Sequence, residues 1–341
     1  MKTPYMIFLA MAIVIAVLSG CDKGQPAAIK NSESNVKVAL SPAQLSQSLT
    51  AVFFTNEKTG YVAGGAGGIY KTVNGGDSWQ AENSTANLPI YGLYFIDSNK
   101  GFAVGGESSC EGTGCVPSGG FILRTLNGGQ SWARVYTPVE KTEITSVYFV
   151  NANVGFCVGN NLIYKTTNGG IAWTAQGIEN LGGKMMQIKF TDDKKGFIIC
   201  LFDKIVQTDD GGLTWKVTSP QTNTGYYSIA SAGGVTYVGG QGKVIKSTNN
   251  GNSWSVLANS PADVFAIYFK NSKNGIALGR GNYSGGDFGH SYASIYTTSD
   301  GGNSWTGSSD ITAYSTVKAV SFPNENVGFG ISENKIIKIT Y

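Results

Sequence analysis

Six short polar side chains recur in one setting: Asn74, Asn127, Asn168, Asp210, Asn249 and Asp300. Each is followed five residues later by a Trp, at Trp79, Trp132, Trp173, Trp215, Trp254 and Trp305. A row of carboxylates could hold calcium or move protons. Four of the six are Asn, however, and an amide cannot serve as a general acid. The rest of the candidate chemistry gathers in two stretches. One holds Glu107, Cys110, Glu111 and Cys115; the other holds Arg280, Tyr283, Asp287, Phe288 and His290. Glu111 and Asp287 could form a glycosidase pair, and Tyr283 and Phe288 could stack on a sugar ring. His290 is the sole His, so a His-rich metal site is excluded and a Ser-His-Asp relay would have to use it. Nothing in these patterns points to a metal or an organic cofactor.

The elements that carry these residues follow from the repeat. Trp-to-Trp spacings are 53, 41, 42, 39 and 51, a base period near 40 with two insertions of about ten. Upstream of each Trp lie a Phe-rich run, a Gly-aromatic run and an Ile-Tyr-Lys-Thr-like run. Examples are Val52-Phe53-Phe54, Gly60-Tyr61-Val62-Ala63-Gly64 and Ile69-Tyr70-Lys71-Thr72. Four short strands per 40 residues is the period of a propeller blade. The Gly-aromatic run recurs at 101, 155, 196, 275 and 328, with a looser copy at 235–239, which makes seven copies. The seventh stops at Tyr341 without a Trp. The spare apolar run Val36–Leu40 is therefore expected to supply its outer strand, because an open ring would leave an unpaired edge. The predicted fold is all-β, a seven-bladed β-propeller of four-stranded blades over 36–341, closed by the N-terminal strand.

Within each turn, the Asn or Asp is expected to bond backbone N–H groups, and Gly to supply φ > 0. The Trp is expected to pack its ring and find a partner for its N–H. Both insertions fall between the second and third strands of a blade, so 107–120 and 280–292 should rise on one face, nearly opposite each other. Loops on a rigid scaffold commonly carry function.

Composition agrees with short strands and tight turns. Gly makes up 47 of 341 residues, roughly twice the usual share, and only 14% are charged. The net charge is +3 with three Arg and no dense basic run, which argues against a nucleic-acid partner.

The first twenty residues read as an address. Lys2 precedes an apolar run from Met6 to Leu18, too short to span a membrane with proper flanks and suited to a secretory signal. It ends Leu18-Ser19-Gly20-Cys21, which resembles the bacterial lipobox. That resemblance implies cleavage before Cys21, acylation of Cys21, and a flexible tether over 21–35. The expected location is the cell envelope, lipid-anchored and facing periplasm or cell exterior. There Cys110 and Cys115 could form a disulfide, while Cys157 and Cys200 sit in apolar strands as buried free thiols.

The Trp turn matches the Asp-box, or bacterial neuraminidase repeat. Together with the Gly-Phe-Ala-Val-Gly strand, it resembles the photosystem II assembly and stability factor family. That resemblance implies a non-catalytic, protein-binding propeller whose turns lie between third and fourth strands. Photosynthetic members present an arginine cluster that binds a reaction-centre subunit; Arg124, Arg134 and Arg280 do not reproduce it. The expected partner is a protein, with a membrane reached through the lipid. A glycan, bound or hydrolysed, is the alternative. Sialidases need three arginines on the sugar, and two-propeller glycosidases are about twice this length.

Overall fold

The computed structural model describes residues 36–107, 119–138, 142–280, 293–308 and 316–341. They form seven four-stranded antiparallel sheets arranged as blades. Blade one is typical, running inner to outer through Leu49–Phe54, Gly60–Gly64, Ile69–Thr72 and Gln80–Glu82. Blade seven takes its inner three strands from Ala319–Ser321, Val327–Ser332 and Lys335–Thr340. Its outer strand is Lys37–Leu40, registered from Lys37 against Thr340 to Leu40 against Ile337. This is the closure expected from the missing seventh Trp.

The sequence pattern of each blade follows from its neighbours. Second strands are buried from end to end in blades one, three and four, and in blade two up to the exposed Glu107, whereas the outer strand of blade three is fully exposed. The Gly at or beside the start of the second strand is needed because the Phe at or just past the end of the inner strand lies over it. A Cβ on Gly60, Gly101, Gly155, Gly196, Gly275 or Gly328 would come within 2.3–2.7 Å of Phe54, Phe95, Phe149, Phe190, Phe269 or Phe322. Blade five changes both partners together. Ser231 faces Thr236 there, with their hydroxyls 3.1 Å apart. That pairing explains the looser fifth copy of the repeat.

Blades are joined by aromatic pairs. The inner-strand Phe stacks on the second-strand ring of the preceding blade, as in Tyr61–Phe95 at 3.9 Å, Phe102–Phe149 at 4.4 Å and Tyr237–Phe269 at 3.5 Å. The Trp meets its own blade's Phe edge-on, as in Trp132–Phe95 and Trp173–Phe149. Each such pair contributes about 0.5–1.5 kcal/mol beyond the burial of its rings. Third-strand lysines add a clasp. Lys71 donates to Gly128 O at 2.7 Å and Lys165 to Gly211 O at 2.9 Å, each in the next blade's turn.

Candidate functional site

Strand direction divides the propeller into two faces. Links from first to second strand, and the Trp turns, emerge on one face. Links from second to third strand, and those between blades, emerge on the other, the insertion face.

The Trp turns are built almost identically. In blade three, Thr166 Oγ1 donates to Asn168 Oδ1 at 2.9 Å and accepts from Gly170 N at 2.9 Å. Asn168 Oδ1 also accepts from Ala172 N at 2.9 Å. Blade six repeats this with Thr298, Asp300, Gly302 and Ser304. Asn74, Asn127, Asp210 and Asn249 hold the same position. The side-chain oxygens that could have served chemistry are thus engaged by their own turns. Hydrogen bonds from the Thr214 hydroxyl and backbone hold the Asp210 carboxyl well below the usual carboxylate range. Among the described residues, no group of three or more His, Cys, Asp or Glu could hold a metal.

One expectation about the turns is corrected. Trp79 Nε1 donates to Gly76 O at 3.2 Å, but the indole nitrogens of Trp132, Trp173, Trp215, Trp254 and Trp305 are buried without a partner. The edge-on aromatic contact sets the ring orientation, and ring burial outweighs the unmade hydrogen bond.

The inner strands enclose a central channel of about 390 Å³. Their channel-side edge would be a row of unpaired backbone groups, a cost the neighbouring blade relieves. Tyr94 and Tyr148 donate to Phe149 O and Phe190 O at 2.9 and 3.2 Å. Ser146, Gln187, Ser228 and Ser321 accept from Ile188 N, Ile229 N, Ile267 N and Phe54 N. Lys189 lines the same channel, and burial pushes its ammonium pKa down.

At the insertion-face end, five inner strands carry a bulge residue: Thr50, Tyr91, Met186, Tyr227 and Phe265. Thr145 and Lys318 occupy the same place in blades three and seven. A bulge bends its strand and re-aims a side chain, and all seven residues line the channel. Thr50 and Thr145 are spent on structure, donating to Ile90 O and Met185 O of the next blade, the latter at 2.8 Å. Tyr91, Met186, Tyr227 and Phe265 are half-buried, Tyr227 and Phe265 being stacked at 5.1 Å, and Lys318 is exposed. Beside them, Lys184 pairs with the buried Glu143 at 2.5 Å and lies 5.8 Å from the Tyr91 ring. Burial, then the negative charges of Glu143 and Glu107, raise the Tyr91 pKa. On blade four, Asp203 accepts from Ser219, Thr222 and Tyr226 and ties two loops together. Burial opposes its ionisation, but these hydrogen bonds outweigh it and hold the pKa at about 2.

Of the sequence candidates on this face, Glu107 is exposed and ends the second strand of blade two, and Arg280 ends the second strand of blade six. Cys110, Glu111, Cys115, Tyr283, Asp287, Phe288, His290 and Cys21 lie outside the described residues, as do the signal and tether. Arg134 lies over the Phe121 ring at 4.9 Å. Cys157 and Cys200 are free and buried. Tyr91, Glu143, Lys184, Met186, Tyr227, Phe265 and Lys318 were missed by sequence reasoning. Their signal was weak but present: they sit one residue before, or close to, an inner-strand position that is small in six blades (Ala51, Gly92, Ser146, Ser228, Ala266 and Ala319) and Gln187 in the other.

Fold and site together define a seven-bladed propeller with structural Trp turns and one non-repeating face. The chain matches, over residues 20–110 and 178–262, the family described as Photosynthesis system II assembly factor YCF48. It belongs to that family. A curated relative, the photosystem II assembly lipoprotein Ycf48 of Synechococcus sp. (strain CC9902), is 29% identical over 144 residues; that match spans 40% of each chain. Among solved structures, a Ycf48 bound to a D1 peptide superposes with a TM-score of 0.70 at 16% identity, covering 92% of this chain and 99% of that one. The GH74 enzyme of Niastella koreensis superposes with a TM-score of 0.66 at 16% identity, covering 88% of this chain and 53% of that one.

Proposed function

We propose that the protein is a non-catalytic, envelope-anchored scaffold that binds a protein client on its insertion face and aids the assembly or stability of a membrane protein. One observation carries the reading. The channel mouth is the place where the repeat stops repeating: two blades keep a structural Thr, and the other five present Tyr, Met, Tyr, Phe and Lys at the equivalent position. A fold requirement would hold that position nearly constant, as it holds the Phe and Gly pair in six of the seven blades. Half-buried aromatic and sulfur side chains beside a cation suit a protein surface. Family membership supports an assembly role, as does the relative bound to a D1 peptide. Anchoring rests on the lipobox-like run ending at Cys21.

A glycan-directed reading has one supporting observation, the likeness to a GH74 enzyme. Two of the described acids near the mouth do not favour it. Glu143 is committed to Lys184 and Asp203 to three hydroxyls.

The test is crosslinking in intact cells from a photoreactive residue at Tyr91 or Phe265, followed by purification and mass spectrometry. A stoichiometric membrane-protein partner is expected. Failure of any protein to crosslink, together with turnover on a glycan panel, overturns the proposal.

A further inference from the structure

We propose that the Trp-turn face lies against the lipid bilayer, so that the insertion face points away from it. The inference rests on the anchored reading of Cys21 and adds the side on which the membrane sits.

The first observation is where the chain enters the propeller. Lys37 pairs with Thr340, at the end of a third strand, so the outer strand of blade seven begins on the Trp-turn face and runs towards the insertion face. The segment from Cys21 therefore joins the body on that side. Fifteen steps of chain reach at most about 50 Å from that point.

The second observation is independent of the anchor. Val73, Leu126, Ile171 and Leu213 are 66, 61, 66 and 71% exposed, one on each of four consecutive Trp turns, in blades one to four. They occupy the second or sixth place of the turn. The turns of blades five and six put Thr248, Asn252, Ser299 and Asn303 in those places and keep the same hydrogen bonds. The fold does not require an aliphatic residue there. Single exposed apolar residues are ordinary; four on one face, on successive blades beginning beside the strand where the chain enters, are not.

Their spacing selects the occupant. The four tips sit one to a blade, on four separate turns. A fluid bilayer boundary accepts separate aliphatic tips as readily as joined ones. Charge on these loops is mixed, with Lys58, Lys100, Lys194 and Lys195 among Glu57, Asp77, Asp97, Asp192, Asp193, Asp209 and Asp210. The contact is therefore apolar and should form on neutral lipid.

The experiment uses the full acylated chain, purified from membranes and reconstituted on phosphatidylcholine vesicles with brominated acyl chains. A polarity-sensitive fluorophore is placed in turn at Leu126→Cys, Ile171→Cys and, on the insertion face, Ala66→Cys. Buried Cys157 and Cys200, whose thiol pKa values burial raises, do not compete for label, and the unsubstituted chain gives the remaining background. Probes at 126 and 171 should be quenched at least about twofold more than the probe at 66. Equal quenching at all three sites on vesicle-retained protein overturns the orientation while leaving the anchor standing. A blue shift at 126 without quenching overturns it in favour of a protein cover. Loss of the protein from the vesicles overturns the anchor itself and this inference with it.

Discussion

The two faces of the propeller are built on opposite terms. On the Trp-turn face, six turns repeat one hydrogen-bond pattern, and each holds its neighbour through a Lys clasp or an aromatic pair. At the channel mouth, one position of the same blade takes five residue types in its half-buried or exposed members and Thr145 in its buried one. Repetition marks what the fold needs, and variation marks where the fold is indifferent. Substitutions on the first face should therefore cost stability, and those on the second should cost recognition.

The largest effect is expected at Phe102. It stacks on Phe149 at 4.4 Å, meets Trp173 edge-on and is fully buried. Phe102→Ala should lower unfolding free energy by about 3–5 kcal/mol, read as a shift in urea midpoint. A loss under about 1 kcal/mol would mean that the inter-blade stack is not the joint it looks like.

Gly170→Ala probes the same joint from the turn. Gly170 has φ 78°, and a Cβ would lie 2.3 Å from the Phe102 ring. Strain and overpacking together should cost about 2–4 kcal/mol. A double variant with Phe102→Ala sharpens the point: with the ring gone, only the φ penalty of about 1–2 kcal/mol should remain.

Much of this face was legible in the sequence because its physics is local. Asn168, Gly170 and Trp173 act within one turn, and the closing strand could be found by counting what blade seven lacked. The channel mouth was not legible for the opposite reason. Tyr91, Met186, Tyr227 and Phe265 come together only when four bulges, 95, 41 and 38 residues apart, are brought to one ring. Glu143 finds Lys184 across 41 positions of chain. The unpartnered indole nitrogens were missed because a rule for single buried groups gave way to the packing of three rings.

A third test uses pH on one loop anchor of the insertion face. The Asp203 carboxyl has its pKa held at about 2, below the unfolded value of about 3.9. Its contribution is present above pH 4 and is lost as pH falls through about 2. Asp97 and Asp192, held low mainly by backbone hydrogen bonds, lose stability over the same range, so the difference between variants is the readout. Asp203→Asn should melt lower than the parent at pH 7, with the gap narrowing from pH 4 to pH 2. A gap independent of pH would show that the loop is held by something other than the charge.

The smallest effect on stability should accompany the largest on function. Tyr91 and Phe265 are half-buried at the mouth, and the bulge that carries each is set by backbone pairing rather than by its side chain. Replacing both with Ala should shift the unfolding free energy by about 1–2 kcal/mol in total, less than the loss at Phe102 alone. Crosslinked partner recovered from cells should fall at least about tenfold if these rings are binding hot spots. Partner recovery unchanged in a stably folded double variant would place the client elsewhere. It would also break the inference from variation to recognition, because a position free to vary would then be merely unconstrained. The Trp-turn face supplies the control for that distinction: Asn168→Ala should lower stability by about 1–2 kcal/mol while leaving partner recovery intact.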